Sequence, residues 1–237
     1  MFDFTNFGDI FNVVLLRIIP ALLCITIHEL AHGYTAYKLG DDTAKNMGRL
    51  TLNPIKHIDP AGLLMMLFVG FGWAKPVPVD MRNFKHPKWY MAITALAGPV
   101  SNIILAALVM FILGLVIPSL GVTYVFGSGM VHAETDTAFT IFMIFRNAIM
   151  LSIGLAVFNM LPIPPLDGSK VLFSLLPERH YYKLMRYERF GMIFLLAIMG
   201  ARFLLDFDIF GRTIWPVAMA IQGYMSIFYT LGLNIVS

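Results

Sequence analysis

The sequence predicts an all-α polytopic membrane protein, with about five to six transmembrane helices and a short re-entrant or β-like segment near its candidate active site. Three observations carry this reading. Of 237 residues, 58% are hydrophobic and only 13% charged, against about 25% charged in a water-soluble domain. Mean hydropathy is +0.76. The charges are also clumped: residues 91–133 contain no Asp, Glu, Lys or Arg, and 192–200 are likewise uncharged. Such a chain cannot coat a globule with charge, which excludes a soluble enzyme, a nucleic-acid binder and a disordered protein. The net charge of +3 reflects basic loops at a membrane face rather than a nucleic-acid site. The single cysteine, Cys24, lies in an apolar run and cannot form an intrachain disulfide.

A spanning helix needs about 20 mostly apolar residues. Residues 11–37, 90–117, 138–161 and 214–233 meet that length, and 190–205 is a shorter fifth candidate. Residues 60–73 are apolar but interrupted by Pro60, Gly62, Gly70 and Gly72, a length and composition suited to a re-entrant segment. Two pieces, 48–52 and 74–79, read as short and extended, because each proline of Lys75-Pro76-Val77-Pro78-Val79 biases its predecessor away from helix. One of them, 48–52 in preference to 74–79, is expected to add an unwound substrate as a β-strand. The whole chain, 1–237, reads as one integral membrane domain, with a core at about 11–176 and additional C-terminal helices at about 186–235. Residues 1–10 are acidic and lack the basic start of a cleavable signal peptide, so the first apolar segment is expected to remain.

Orientation follows from Lys and Arg. Residues 38–90 and 162–190 hold 13 of the 17 basic residues, whereas 118–137 hold none. By the positive-inside rule the two basic stretches are cytoplasmic and 118–137 lies on the other side. The protein is thus expected in the cell membrane, multi-pass, with its polar cluster toward the cytoplasm.

That cluster begins within the first span, at Ile27-His28-Glu29-Leu30-Ala31-His32. His28 and His32 are four apart, so on a helix both project from one face and can grip one Zn²⁺. Glu29 projects nearby and can take a proton from metal-bound water. Three ionisable groups within five residues at membrane depth are costly and demand a purpose. A catalytic zinc takes three protein ligands and leaves one position open. Asp167 is the candidate third, in Asn159-Met160-Leu161-Pro162-Ile163-Pro164-Pro165-Leu166-Asp167-Gly168. There prolines stop an apolar helix, and irregular backbone at membrane depth is tolerated where it lines a cavity. The alternative, Asp167 as N-cap of a cytoplasmic helix, yields to the ligand reading because the two histidines need a partner. Asn159, Asn102 and His57 are the candidate substrate-binding residues. Gly98 and Pro99 of Ala97-Gly98-Pro99-Val100-Ser101-Asn102 read as helix packing.

Together these residues resemble the site-2 protease family of intramembrane zinc metalloproteases, in its short bacterial-type branch without a PDZ or CBS domain. The resemblance rests on His28-Glu29-Leu30-Ala31-His32, on Ala97-Gly98-Pro99, and on the N-x-x-P-x-x-x-x-D-G pattern from Asn159 to Gly168. It implies one zinc bound by His28, His32 and Asp167, with Glu29 as general base and Asn159 assisting substrate. It further implies endoproteolysis of a transmembrane segment of a membrane-protein substrate, in contact with lipid and with no nucleic acid. Two rivals are weighed. A metal transporter would need polar residues continuing across the bilayer, which 90–117 and 138–161 offer sparsely. An idle scaffold would bind zinc without needing Glu29.

Overall fold

The computed structural model describes residues 14–69, 72–124, 130–205 and 209–236. The acidic stretch 1–10 lies outside them, as do residues 70–71 of the expected re-entrant segment. The chain is mostly helical, and among the described residues four helices are long and apolar enough to cross a membrane: Val14–Lys38, Pro87–Leu120, Asp136–Asn159 and Gly211–Val236. This is a polytopic membrane architecture, and four of the expected spans are such helices. Two segments are the other candidates. Residues 60–73 contain a ten-residue helix, Pro60–Val69, about 15 Å long at 1.5 Å per residue, half of a bilayer core. Residues 190–205 are the C-terminal part of one helix, Glu178–Leu205. Its first half is charged, and Arg202 interrupts the apolar run.

The helices used below are α1 (Ile19–Lys38), α2 (Pro60–Val69), α3 (Pro87–Val116), α4 (Asp136–Asn159), α5 (Asp167–Ser174), α6 (Glu178–Leu205) and α7 (Ile209–Val236). By contact the chain divides into two units.

The first unit comprises Met1–Cys24, Asn102–Gly154 and Pro216–Ser237. A π-helical turn, Val14–Ile18, leads into α1. Pro20 has no N–H to offer the Leu16 carbonyl one turn before it; the Asn147 side-chain amide donates to that carbonyl instead, at 2.7 Å. In a lipid-facing helix such a replacement removes a large penalty. Ser152 likewise donates to the Asn102 carbonyl at 2.9 Å. Where α3 meets α7, glycines let the backbones touch: a Cβ on Gly114 would sit 2.2 Å from the Tyr229 oxygen, and one on Gly232 2.3 Å from the Phe111 oxygen. This is the small-residue contact that helices use where lipid removes the hydrophobic drive. Met110, Leu113, Phe142, Ile149 and Ile153 form its buried centre. Strands β1 (Val122–Tyr124) and β2 (Val131–Ala133) form an antiparallel hairpin with Thr123 opposite His132. This hairpin was not expected from the sequence.

The second unit comprises Ile25–Ser101 and Leu155–Trp215 and holds every residue of the polar cluster. Asp59 starts α2 by accepting the Gly62 N–H at 2.9 Å, with Pro60 as the first helical residue, where its missing N–H costs nothing. The flanks of α2 come together: Ile58 pairs with Ala74 in an antiparallel bridge, and the Lys75 N–H donates to the His57 carbonyl at 3.0 Å. That pairing is the β-like element of this region. Residues 48–52 form no strand. Gly48 turns the chain with φ 63°, the Thr51 N–H donates to the Arg49 carbonyl at 3.0 Å, and the Thr51 carbonyl accepts from His57 Nε2 at 2.9 Å. Both backbone polar groups of Thr51 are thus spent inside the loop.

Candidate active site

Helix α1 brings His28 and His32 onto one face, a turn apart, with ring centroids 4.6 Å apart and planes at 87°. Asp167 arrives from the other end of the chain. After α4 ends at Asn159, the prolines at 162, 164 and 165 hold a tight turn in which the Leu166 N–H donates to Ile163 at 2.9 Å. Helix α5 then starts at Asp167 itself. Leu166 occupies the cap position without a side-chain bond, so Asp167 is not a capping residue and its carboxylate is turned to the imidazoles. Gly168 is required next to it, because a Cβ there would meet the Met160 carbonyl oxygen at 2.2 Å. Gly191 of α6 packs against the same turn, its Cβ position 2.5 Å from the Pro164 carbonyl carbon.

Three donor atoms converge. His28 Nε2 and His32 Nε2 are 3.0 Å apart, and each lies 3.2 Å from Asp167 Oδ2. His28 and Asp167 are buried and His32 is half-buried. His32 Nδ1 lies 2.7 Å from the Thr94 carbonyl. A carbonyl only accepts, so Nδ1 carries the proton, and the Nε2 of a neutral ring presents its lone pair to the cluster. This is the outer support that a metal-binding imidazole needs. Lys170 lies 3.9 Å from the other Asp167 oxygen, Oδ1, and favours the anionic form that a metal ligand takes.

The donor set fits zinc. Two imidazole nitrogens and one carboxylate oxygen are a catalytic-zinc set, and bonds of about 2.0–2.1 Å from a tetrahedral centre separate the donors by roughly 3.3 Å. The observed edges of 3.0 to 3.2 Å approach that triangle.

Glu29 stands beside this cluster and outside it. Its Oε2 accepts the Val77 N–H at 2.8 Å, which leaves the other carboxylate oxygen for a proton. Two of the other expected residues hydrogen-bond elsewhere. His57 is buried, and its Nε2 donates to the Thr51 carbonyl. The Asn159 amide donates to Leu155 in its own helix at 3.0 Å. Asn102 is fully buried in the first unit.

Two supporting residues were not read as functional from the sequence. One is Thr94, which acts through its backbone carbonyl. The other is Gly98, taken for helix packing: a Cβ there would lie 2.4 Å from His32 Nε2 and 2.6 Å from His28 Cε1. Both rings rest on the bare backbone of α3. Gly98→Ala is therefore expected to displace both imidazoles and weaken zinc affinity at least roughly tenfold, as read by competition with a chelator. Gly154→Ala, with nothing within 4 Å of its Cβ, should retain the parental affinity.

The comparisons with known proteins agree with this geometry. The sequence pattern described as Peptidase family M50 matches residues 17–201. A Bacillus subtilis (strain 168) protein named "Putative zinc metalloprotease YwhC" is 44% identical over 181 residues, 76% of this chain and 78% of its own length. The "Putative zinc metalloprotease Rip2" of Mycolicibacterium smegmatis is 27% identical over 195 residues, covering 79% of this chain and 68% of that protein. Its namesake in Mycobacterium tuberculosis strain H37Rv is 28% identical over 190 residues, 76% of this chain and 64% of its own length. No solved structure matches. The chain belongs to Peptidase family M50, the site-2 protease family, and is a zinc metalloendopeptidase.

Proposed function

We propose that the protein hydrolyses a peptide bond within a transmembrane segment of a membrane-protein substrate, with His28, His32 and Asp167 holding the zinc and Glu29 as general base. The observation that carries this reading is the position of the cluster on its helix. His28 and His32 lie ten and six residues before Lys38, the last residue of a candidate span. At 1.5 Å per residue they stand about 9 to 15 Å inside that end, within the depth of the hydrocarbon core. Ionisable groups there serve a reaction or a pathway.

When bound, the zinc polarises the scissile carbonyl and lowers the pKa of water. The chain's own residues supply the rest. Glu29, fixed on one oxygen by Val77, accepts the water proton on the other and returns it to the leaving nitrogen. Gly98 and Thr94 keep the imidazoles in place. Asn159, at the end of α4, holds the substrate backbone through the carboxamide oxygen that its bond to Leu155 leaves over. The substrate helix unwinds locally, because its amides are otherwise closed in internal hydrogen bonds.

The Lys and Arg bias supports Lys45 and Lys183 in the cytoplasm and Ser128, which lies outside the described residues, on the other side, with the cut toward the cytoplasmic end of the substrate. Residues 60–73 enter and leave the bilayer on one side, which the Ile58–Ala74 bridge between their flanks supports. The chain acts as one protease domain. Single cysteines at 45, 128 and 183, after replacement of Cys24, are expected to react with an impermeant thiol reagent on intact cells at 128 alone; labelling at 45 or 183 but not at 128 reverses the orientation.

The reaction itself is tested with purified protein in proteoliposomes and a single-span substrate, its fragments sized by mass spectrometry. The expected cut falls within the apolar segment, stops with a zinc chelator and resumes with added zinc. Cuts confined to soluble flanks would overturn the intramembrane reading.

A further inference from the structure

Arg49 is a buried cation that the mechanism above leaves unused. It is 6% exposed, and no carboxylate pairs with it among the described residues. A guanidinium removed from water without an anion is expensive, so its one strong contact carries weight: Nη2 donates to the Lys75 carbonyl at 2.8 Å. Its Nε has no acceptor.

Lys75 opens the run Lys75-Pro76-Val77-Pro78. Both prolines lack an N–H and fix φ, and each holds its predecessor extended. Val77 therefore owns the single N–H of the triplet 76–78, on a stiff backbone, and gives it to Glu29 Oε2. The Lys75 carbonyl and the Val77 N–H are separated by one proline, so a displacement of the first is passed to the second. The other contacts close a circuit around Arg49. Lys75 N–H donates to the His57 carbonyl, the His57 ring donates to the Thr51 carbonyl, and Thr51 N–H returns to the Arg49 carbonyl.

We infer that Arg49 is a positioning residue for the reaction: by clamping the Lys75 carbonyl it aims the Val77 N–H at Glu29 and fixes the carboxylate beside the zinc site. This rests on the reading of Glu29 as base. Arg49 acts only through the 75–77 segment, so its loss disturbs the geometry of the base and leaves the metal and the substrate grip in place. Small misplacements of a reacting group cost large factors in rate.

The test uses the full chain, purified with zinc, and the single-span substrate above. Arg49→Gln is expected to lower kcat at least roughly tenfold, with KM within about twofold and zinc content unchanged. Arg49→Lys, whose ammonium still donates to a carbonyl, restores most of kcat. Amide exchange at Val77 in the metal-free protein accelerates in Arg49→Gln, because the N–H has lost its fixed acceptor. In a Glu29→Asp background, where the shorter carboxylate already misses Val77, Arg49→Gln adds no further loss. A rise in KM at constant kcat, unchanged Val77 exchange, or an equal loss with and without Glu29→Asp overturns the inference. Where Arg49→Gln fails to accumulate, Val77→Pro deletes the same N–H and must reproduce the kcat loss; parental kcat in that variant overturns it equally. An active Glu29→Gln protein removes the base reading itself, whereas an inactive one with additive Arg49 effects removes only the positioning role.

Discussion

Glu29→Gln is expected to reduce turnover at least roughly a hundredfold while the protein keeps near-stoichiometric zinc. The three converging donor atoms belong to His28, His32 and Asp167, and Glu29 is committed to the Val77 N–H at 2.8 Å. Glutamine has the same shape, and its carbonyl oxygen still accepts that N–H. The substitution therefore removes proton transfer and little else. General-base catalysis contributes typically 10²–10⁴-fold, so a hundredfold loss, about 2.7 kcal/mol of barrier, is the lower bound. It should appear in kcat with KM little changed, the pattern of a group that acts in the transition state. Metal analysis and the proteoliposome assay on one preparation decide it. A fully active variant would remove Glu29 from the mechanism.

The sequence carries the metal-site geometry unusually far because helical periodicity converts spacing into direction. His28 and His32 are four apart, and no tertiary information is needed to place them on one face. Asp167 is legible for a different reason: prolines at 162, 164 and 165 end α4 where an acid and a glycine follow, and the need of the two histidines for a partner decides between a ligand and a helix N-cap. Gly98 was not legible as a support for the imidazoles. A glycine in a membrane helix reads as close packing, and only the packed structure says that histidine rings, not another backbone, are what approaches. Thr94 and Val77 act through backbone groups, which leave no mark in residue type. Residues 190–205 are harder to read, because their apolar run continues the charged helix that begins at Glu178.

Asp167→Ala is expected to lose zinc and activity together. Its Oδ2 sits 3.2 Å from both imidazole nitrogens, and no other Asp or Glu among the described residues shares a candidate metal group with those histidines. Two protein donors would remain where a catalytic zinc takes three, so the affinity should fall by more than the roughly 10- to 100-fold that follows loss of an outer partner. Two other acids of the same unit provide the contrast, because their oxygens are spent elsewhere. Asp59 accepts the Gly62 N–H at the start of α2, so Asp59→Ala costs about 1 kcal/mol of local stability and keeps the metal. Asp80 is tied to Arg82 at 2.6 Å, a contact that lowers its pKa to about 2; Asp80→Ala should also keep the metal. Asp167→Asn retains an oxygen without the charge and is expected to fall between the parent and alanine. Chelator competition on all four variants, with circular dichroism to confirm the fold, separates the outcomes. Parental zinc affinity in Asp167→Ala, with loss in either control, would assign the third ligand to another acid and would part the proline turn from the chemistry it is argued to serve.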